Sequence, residues 1–184
     1  MTDEQIIESI ADAYTAFTRN EVTAVQKQSI TYTVQWWRKM GSQNLDQLAY
    51  ICATAHGEAN WISQKEKRDR VGGVVRGLQD KYWNTGFFGR GLVQLTWKRN
   101  YQNYSRILGV DLMANPDKVL ETETSARILV YGMVYGNFTG KSLDNYISST
   151  KVDFLNARRI INGLFKASDY EAFAKQYQSY LKAA

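Results

Sequence analysis

Carboxyl groups supply the first chemical signal in this chain. Glu58 directly follows an apolar helical run, in Ala53-Thr54-Ala55-His56-Gly57-Glu58-Ala59-Asn60-Trp61. At the C-terminal end of a helix the negative pole of the dipole and the apolar surroundings would both disfavour the charged carboxyl, which suits an acid catalyst. A solvated glutamate at a helix end fits the same position. A second carboxylate is offered by Gln64-Lys65-Glu66-Lys67-Arg68-Asp69-Arg70, where Glu66 and Asp69 are the two choices and four basic neighbours would keep either ionised. An alternating charge run is also what a wet surface looks like. One protonated and one ionised carboxyl facing each other across a cleft is the requirement for hydrolysing a glycosidic bond.

A third element is Gly89-Arg90-Gly91-Leu92-Val93-Gln94-Leu95-Thr96-Trp97, continued by Asn100-Tyr101. Two glycines around Arg90 allow a tight loop and close approach of backbone to a ligand. Strand alternation over Leu92 to Trp97 would send Gln94 and Thr96 to one face, where an amide and a hydroxyl hold a water and a sugar N-acetyl group. A plain hairpin turn accounts for the glycines equally well.

These residues need elements to hold them. Thr2 and Gln5 form a capping-box pattern, and Ile6, Ile7, Ile10, Ala13, Tyr14 and Phe17 share one helical face. A second helix is expected over 29–40, ending at the Gly41-Ser42-Gln43-Asn44 turn. Asn44 caps a third, in which Leu48, Cys52 and Ala55 align and which ends near Gly57. Between Trp61 and Thr96 helical periodicity lapses and glycines cluster (Gly72, Gly73, Gly77, Gly86, Gly89, Gly91), predicting loops and a hairpin. Helical patterns return over 101–108, 122–135, 142–148, 152–161 and 168–181, and Pro116 reads as a first-turn residue capped by Asn115. The expected fold is therefore α+β: mainly α-helical and lysozyme-like, with a small β-hairpin and loop region beside an active-site cleft. Residues 1–28 read as an N-terminal amphipathic helical extension, joined by a polar stretch around Val25 to Ser29, and 29–184 as the catalytic domain, the whole forming one compact unit.

The 184 residues, 44% of them hydrophobic, suffice for one core. Aromatic residues make up 13%, an excess that suits stacking on sugar faces. The formal charge of +5 and pI near 9.2 favour polyanions, but the basic residues are dispersed and carry no nucleic-acid recognition motif, so a nucleic-acid partner is not expected. Cys52 is the single cysteine, which excludes an intramolecular disulfide and suggests a buried core thiol.

The run Gly89 to Tyr101 resembles the Gly-Arg-Gly, Gln-Leu-Thr-Trp, Asn-Tyr core of family 19 glycoside hydrolases, which include plant-type chitinases and many bacteriophage endolysins. Leu48 to Glu58 is similar to the helix that delivers the family's acid. Asn115-Pro116-Asp117 resembles its Asn-Pro-Asp turn, and Asn156 to Gly163 its late Asn-Ala-Arg-Arg-Ile-Ile-Asn-Gly segment. The resemblance implies Glu58 as general acid and Glu66 as base, with Asp69 the alternative base and Thr96 positioning the attacking water. It also implies Gln94, Asn100, Tyr101 and Asn162 along the sugar subsites, and Arg90 and Trp61 are taken with them as substrate-binding. An inverting displacement needing no metal or cofactor follows from the same resemblance. The family places His before the acid and Thr after it, where this chain has Gly57 and Ala59; His56 stands one residue early and is expected to be packed and hydrogen-bonded. Arg158 and Arg159 are expected to brace Glu58 and Glu66 by ion pairs.

The expected substrate is bacterial peptidoglycan, cut at β-1,4 bonds by a monomeric endolysin whose charge also draws it to the anionic envelope. Chitin is the alternative, and a catalytically inactive sugar-binding module a third reading. Met1 to Ser9 lacks the basic and apolar regions of a signal peptide, and no run is long enough to span a bilayer. The expectation is a protein made in the host cytoplasm that reaches the wall after a membrane lesion, without stable insertion.

Overall fold

The computed structural model describes residues 1–69 and 74–183. Arg70, Gly72 and Gly73, which the sequence reading included in the charge run and the glycine cluster, lie outside the described residues. The elements are α1 (Asp3–Thr18), α2 (Ala24–Met40), α3 (Leu45–Ala59), β1 (Gln64–Lys65), α4 (Val74–Gln79), β2 (Arg90–Gly91), α5 (Lys98–Leu108), α6 (Thr122–Tyr135), α7 (Phe154–Ala157) and α8 (Ala167–Ala183). Helices thus surround one small antiparallel pair, with Gln64 opposite Gly91 and Lys65 opposite Arg90. The fold is the α+β, mainly helical, lysozyme-like one expected.

Caps explain where the helices start. Thr2 with Gln5 and Thr23 with Gln26 form reciprocal capping boxes, and the Asn44 side chain accepts from the amides of Asp46 and Gln47. The Thr23 box starts α2 at Ala24, so the polar stretch over 25–29 is helical. Helix α3 continues past Gly57 to Ala59, where Asn60 in the left-handed region closes it. It is hydrophobic almost all round, as befits a central element. α8 packs along it, α1 packs on α8 and α2, and α6 lies against α2. Ile6, Ile10, Ala13 and Tyr14 of α1 share one core cluster with Leu48, Ile51 and Cys52 of α3 and Tyr177 of α8. Cys52 is fully buried, as expected.

Several local expectations fail for identifiable reasons. Leu92 to Trp97 is not a strand: Arg90 and Leu95 exchange backbone hydrogen bonds, and Gln94 has φ 51°, so the chain turns back on itself after β2. The stretch 61–96 is not free of helix, for it contains α4 and a 3₁₀ turn at Trp83–Thr85. The helix expected over 142–148 is a 3₁₀ turn, Leu143–Asn145, followed by a bridge between Ile147 and Val152. That expected over 152–161 is α7 followed directly by a 3₁₀ turn, Arg158–Ile160. Each piece is too short for cooperative helix, and packing on the core decides its form. Pro116 opens a 3₁₀ turn capped by Asn115, as its position suggested.

Candidate active site

Glu58 occupies the last turn of α3. The residue after that helix, Asn60, is tied to the N-terminal elements: Tyr14 of α1 donates to its side chain at 3.0 Å, while Gln26 of α2 donates to Tyr14 Oη and to the Asn60 carbonyl, both at 2.9 Å. The helix end that carries Glu58 is therefore set by α1 and α2 as well as by its own sequence.

The surroundings of Glu58 are not the apolar patch its position suggested. Arg158 Nη1 lies 2.8 Å from Oε1 in an ion pair, and Tyr170 Oη donates to the same oxygen at 2.8 Å. The Arg158 contact is electrostatic rather than a directed hydrogen bond, since Nη1 has no partner in bonding geometry. The guanidinium is buried and lies 3.9 Å from the centre of the Tyr170 ring, and Arg158 Nε donates to the Phe165 carbonyl. Burial, and then Glu58 itself, push the Tyr170 hydroxyl well above the ordinary phenol range, so it remains a donor. Oε1 is thus engaged twice, and Glu58 lines a cleft of about 480 Å³ together with Asn60, Arg158, Asn162, Phe165 and Tyr170 among others.

Gly57 makes this arrangement possible. A Cβ there would stand 2.5 Å from Tyr170 Cε1 and 2.9 Å from its hydroxyl. The space beside Gly57 that a side chain would take is filled by the Tyr170 ring from α8. His56 also lines the cleft, with its ring engaged by neighbours: Tyr177 Oη is 3.1 Å from its Nδ1, Phe173 stacks on it at 4.3 Å, and burial lowers its pKa to about 4. It is a packed, hydrogen-bonded residue, as expected.

Glu66 follows β1 and is held on every side. Gln79 Nε2 and Tyr82 Oη donate to Oε1 at 2.9 and 2.7 Å, and the Gly89 amide donates to Oε2 at 2.9 Å. Burial, reinforced by Glu66, pushes the Tyr82 hydroxyl far up, so it too stays a donor. Three donors fix the carboxylate's orientation and leave acceptor capacity on Oε2. Gln79 additionally accepts from the Asp69 amide and donates to the Lys67 carbonyl, tying the charged run to α4. Gly89 sits close against Gln94 and Glu66: a Cβ would meet Gln94 Oε1 at 2.9 Å and Glu66 Oε2 at 3.1 Å. Glu66 and Gln94 thus converge at the Gly-Arg-Gly loop.

Gln94, Thr96 and Asn100 line one recess together with Trp97, Phe138 and Ile161. Gln94 is anchored by bonds from Nε2 to the Gln64 and Gly91 carbonyls, and Asn100 donates to the Thr96 carbonyl at 2.7 Å. Thr96 donates its hydroxyl to the Gln94 carbonyl at 2.8 Å, which leaves its oxygen free to accept. Asn162, adjacent to Ile161, lines the Glu58 cleft and is exposed.

Three of the expected substrate contacts lie inside the protein instead. Trp61 is 0% exposed and donates to Tyr177 Oη; Tyr101 is 0% exposed and bonds to the Phe88 carbonyl. Arg90, 4% exposed, bonds to Asp117, to the Gly86 and Phe88 carbonyls and to Tyr101 Oη, so it braces the loop rather than meeting a ligand. Arg158 braces Glu58, whereas Arg159 is exposed and makes no ion pair with Glu66. The sequence reading missed Tyr170, Gln79 and Tyr82, whose contacts span distances no local pattern reports. It also passed over Phe165, 70% exposed on the rim of the Glu58 cleft, and Trp97, 45% exposed in the neighbouring recess, both suited to stacking on sugar. Among the described residues no group of His, Cys, Asp or Glu could hold a metal ion, and no helix is long and apolar enough to cross a membrane.

Residues 48–134 match the family described as chitinase class I, glycoside hydrolase family 19. Over 31 residues the chain is 58% identical to endochitinase 1 of Theobroma cacao, covering 17% of this chain and 10% of that protein. The match therefore spans about a tenth of that relative's length. The matched stretch contains Glu58, Glu66, Gln94 and Thr96; Arg158, Asn162 and Tyr170 lie beyond it.

Proposed function

We propose that this protein hydrolyses β-1,4 glycosidic bonds of bacterial peptidoglycan, as an endolysin that meets the wall once the membrane is breached. The observation that carries the catalytic part is the contrast between its two carboxyls. Glu58 lines a cleft with its Oε1 engaged by Arg158 and Tyr170, whereas Glu66 is clamped by three donors beside Gln94. In this reading Glu58 Oε2 carries the proton to the leaving oxygen. Glu66 takes a proton from a water that Thr96 helps to hold, and the water attacks the anomeric carbon with inversion. Asp69 is the alternative base. The net charge of +5 favours approach to an anionic envelope.

A second reading, chitin as substrate, is favoured by the descriptions of the matching family and of the cacao relative. Mass spectrometry of products from purified peptidoglycan and from chitin oligosaccharides, each with wild type and Glu58→Gln, separates the possibilities. The proposal expects new reducing ends from peptidoglycan and nearly none from Glu58→Gln, whose amide cannot donate the proton. Products from chitin alone would select the second reading. Binding without products from either would identify an inactive sugar-binding module.

A further inference from the structure

The recess containing Gln94, Thr96 and Asn100 does not end at Asn100. Asn100 and Phe138 also line a neighbouring cleft of about 490 Å³, walled by Arg99, Gln102, Asn103 and Arg106 of α5 and by Asn137 and Thr139 after α6. The four α5 residues fall at i, i+3, i+4 and i+7, on one helical face, opposite the buried Tyr101, Tyr104 and Leu108. The far wall is fixed to the other half of the site, because Thr139 Oγ1 donates to the carbonyls of Arg159 and Ile160, just before Asn162. Surfaces around Glu58, Thr96 and α5 are therefore linked by shared or adjacent residues.

The chemistry of the new cleft differs from that of a neutral-sugar subsite. No acidic residue lines it. Neither Arg99 nor Arg106 makes an ion pair among the described residues, in contrast to Arg38, Arg68, Arg90 and Arg158, each of which has a carboxylate partner. Gln102, Asn103 and Asn137 add amide groups. Two guanidinium groups without partners, in a cleft continuous with the glycan recess, are suited to carboxylates, which they bind by paired, charge-assisted hydrogen bonds. In β-1,4-linked N-acetylglucosamine polymers every sugar is neutral. In peptidoglycan every second sugar carries a lactyl group extended by a peptide with free carboxylates.

We propose that the Arg99–Arg106 cleft is a carboxylate-binding subsite for the lactyl-peptide branches of peptidoglycan, and that it directs the enzyme toward branched, anionic glycan strands over neutral ones. This rests on the glycosidase reading above and names what would select its substrate.

The test compares kcat/KM on soluble peptidoglycan strands with kcat/KM on chitin oligosaccharide, for wild type and for the double variant Arg99→Gln, Arg106→Gln. The expected result is a fall of at least tenfold in the peptidoglycan-to-chitin ratio, carried mainly by KM, and a wild-type ratio that declines with added salt. An unchanged ratio, or equal losses on both substrates, overturns the proposal. A binding arm needs no turnover: calorimetry with an N-acetylmuramyl-peptide and with the same compound amidated at its carboxyls. Wild type should bind the free acid at least tenfold more tightly, and the double variant should bind both alike; equal binding by wild type overturns the subsite even if catalysis fails altogether. If wild type cuts neither polymer but prefers the free acid, the glycosidase reading falls and the subsite stands.

Discussion

Replacing Gly57 by Ala adds one methyl group at the point where α8 meets the end of α3. The new Cβ would sit 2.5 and 2.6 Å from Tyr170 Cε1 and Cζ, whereas carbon atoms pack at about 3.5–4.0 Å. The ring must therefore move by about 1 Å, and it cannot do so freely. It is 5% exposed, holds the Arg158 guanidinium against its face and donates to Glu58. Stability should change little: overpacking costs about 1–3 kcal/mol, while Ala in place of Gly in a helix returns about 1 kcal/mol. Activity should change much more, because a displacement of about 1 Å near a reacting group costs on the order of a hundredfold. The expected result is kcat lowered on the order of tenfold to a hundredfold, measured by reducing-end release, with a melting temperature within a few degrees of wild type. Tyr170→Phe supplies the control, deleting the hydroxyl but keeping the ring over Arg158. It should lower kcat less, because the ring stays over Arg158 and only the one hydrogen bond to Glu58 is lost. Wild-type kcat in both Gly57→Ala and Tyr170→Phe would refute the idea that Tyr170 sets Glu58.

Four further outcomes are expected. Glu66→Gln should reduce kcat far more than Asp69→Asn, and the reverse ranking would transfer the base role to Asp69. Thr96→Val removes the oxygen that is free to accept from water and should lower kcat on the order of tenfold to a thousandfold with little change in melting temperature, while Thr96→Ser keeps much of the rate. His56 has a pKa of about 4 against 6.5 for a free imidazole, so the unfolded chain takes up a proton first. Its contribution, at most of order 3 kcal/mol, is present above pH 6.5 and lost as pH falls toward 4; denaturant titrations of His56→Gln should show a flatter dependence across that window. Asp117→Ala takes the carboxylate from buried Arg90 and should cost about 1–2 kcal/mol in chemical denaturation, the exposure of Asp117 limiting the loss.

Local chemistry accounts for what was legible without coordinates. The caps at Thr2 and Asn44, the apolar stripe of α1, the burial of Cys52 and the turn at Pro116 each depend on a few neighbouring residues, and each stands where its pattern put it. The ordered motifs likewise singled out Glu58, Glu66 and Thr96 as residues able to do chemistry. Tertiary structure decided which side chains face a ligand. Trp61, Tyr101 and Arg90 lie in or beside motifs that suggested sugar contact, yet all three are spent on internal hydrogen bonds, because a strained loop packed on the core needs its own donors satisfied. The partners of the two carboxyls were equally out of reach: Tyr170 meets Glu58 across 112 residues, and Gln79 and Tyr82 reach Glu66 from elements whose short helical turns exist only because the rest of the fold holds them. Sequence settles which groups are present and how they are spaced along one helix or turn; the packing of α8 on α3 settles what each group touches, since burial and hydrogen bonding are properties of the assembled core.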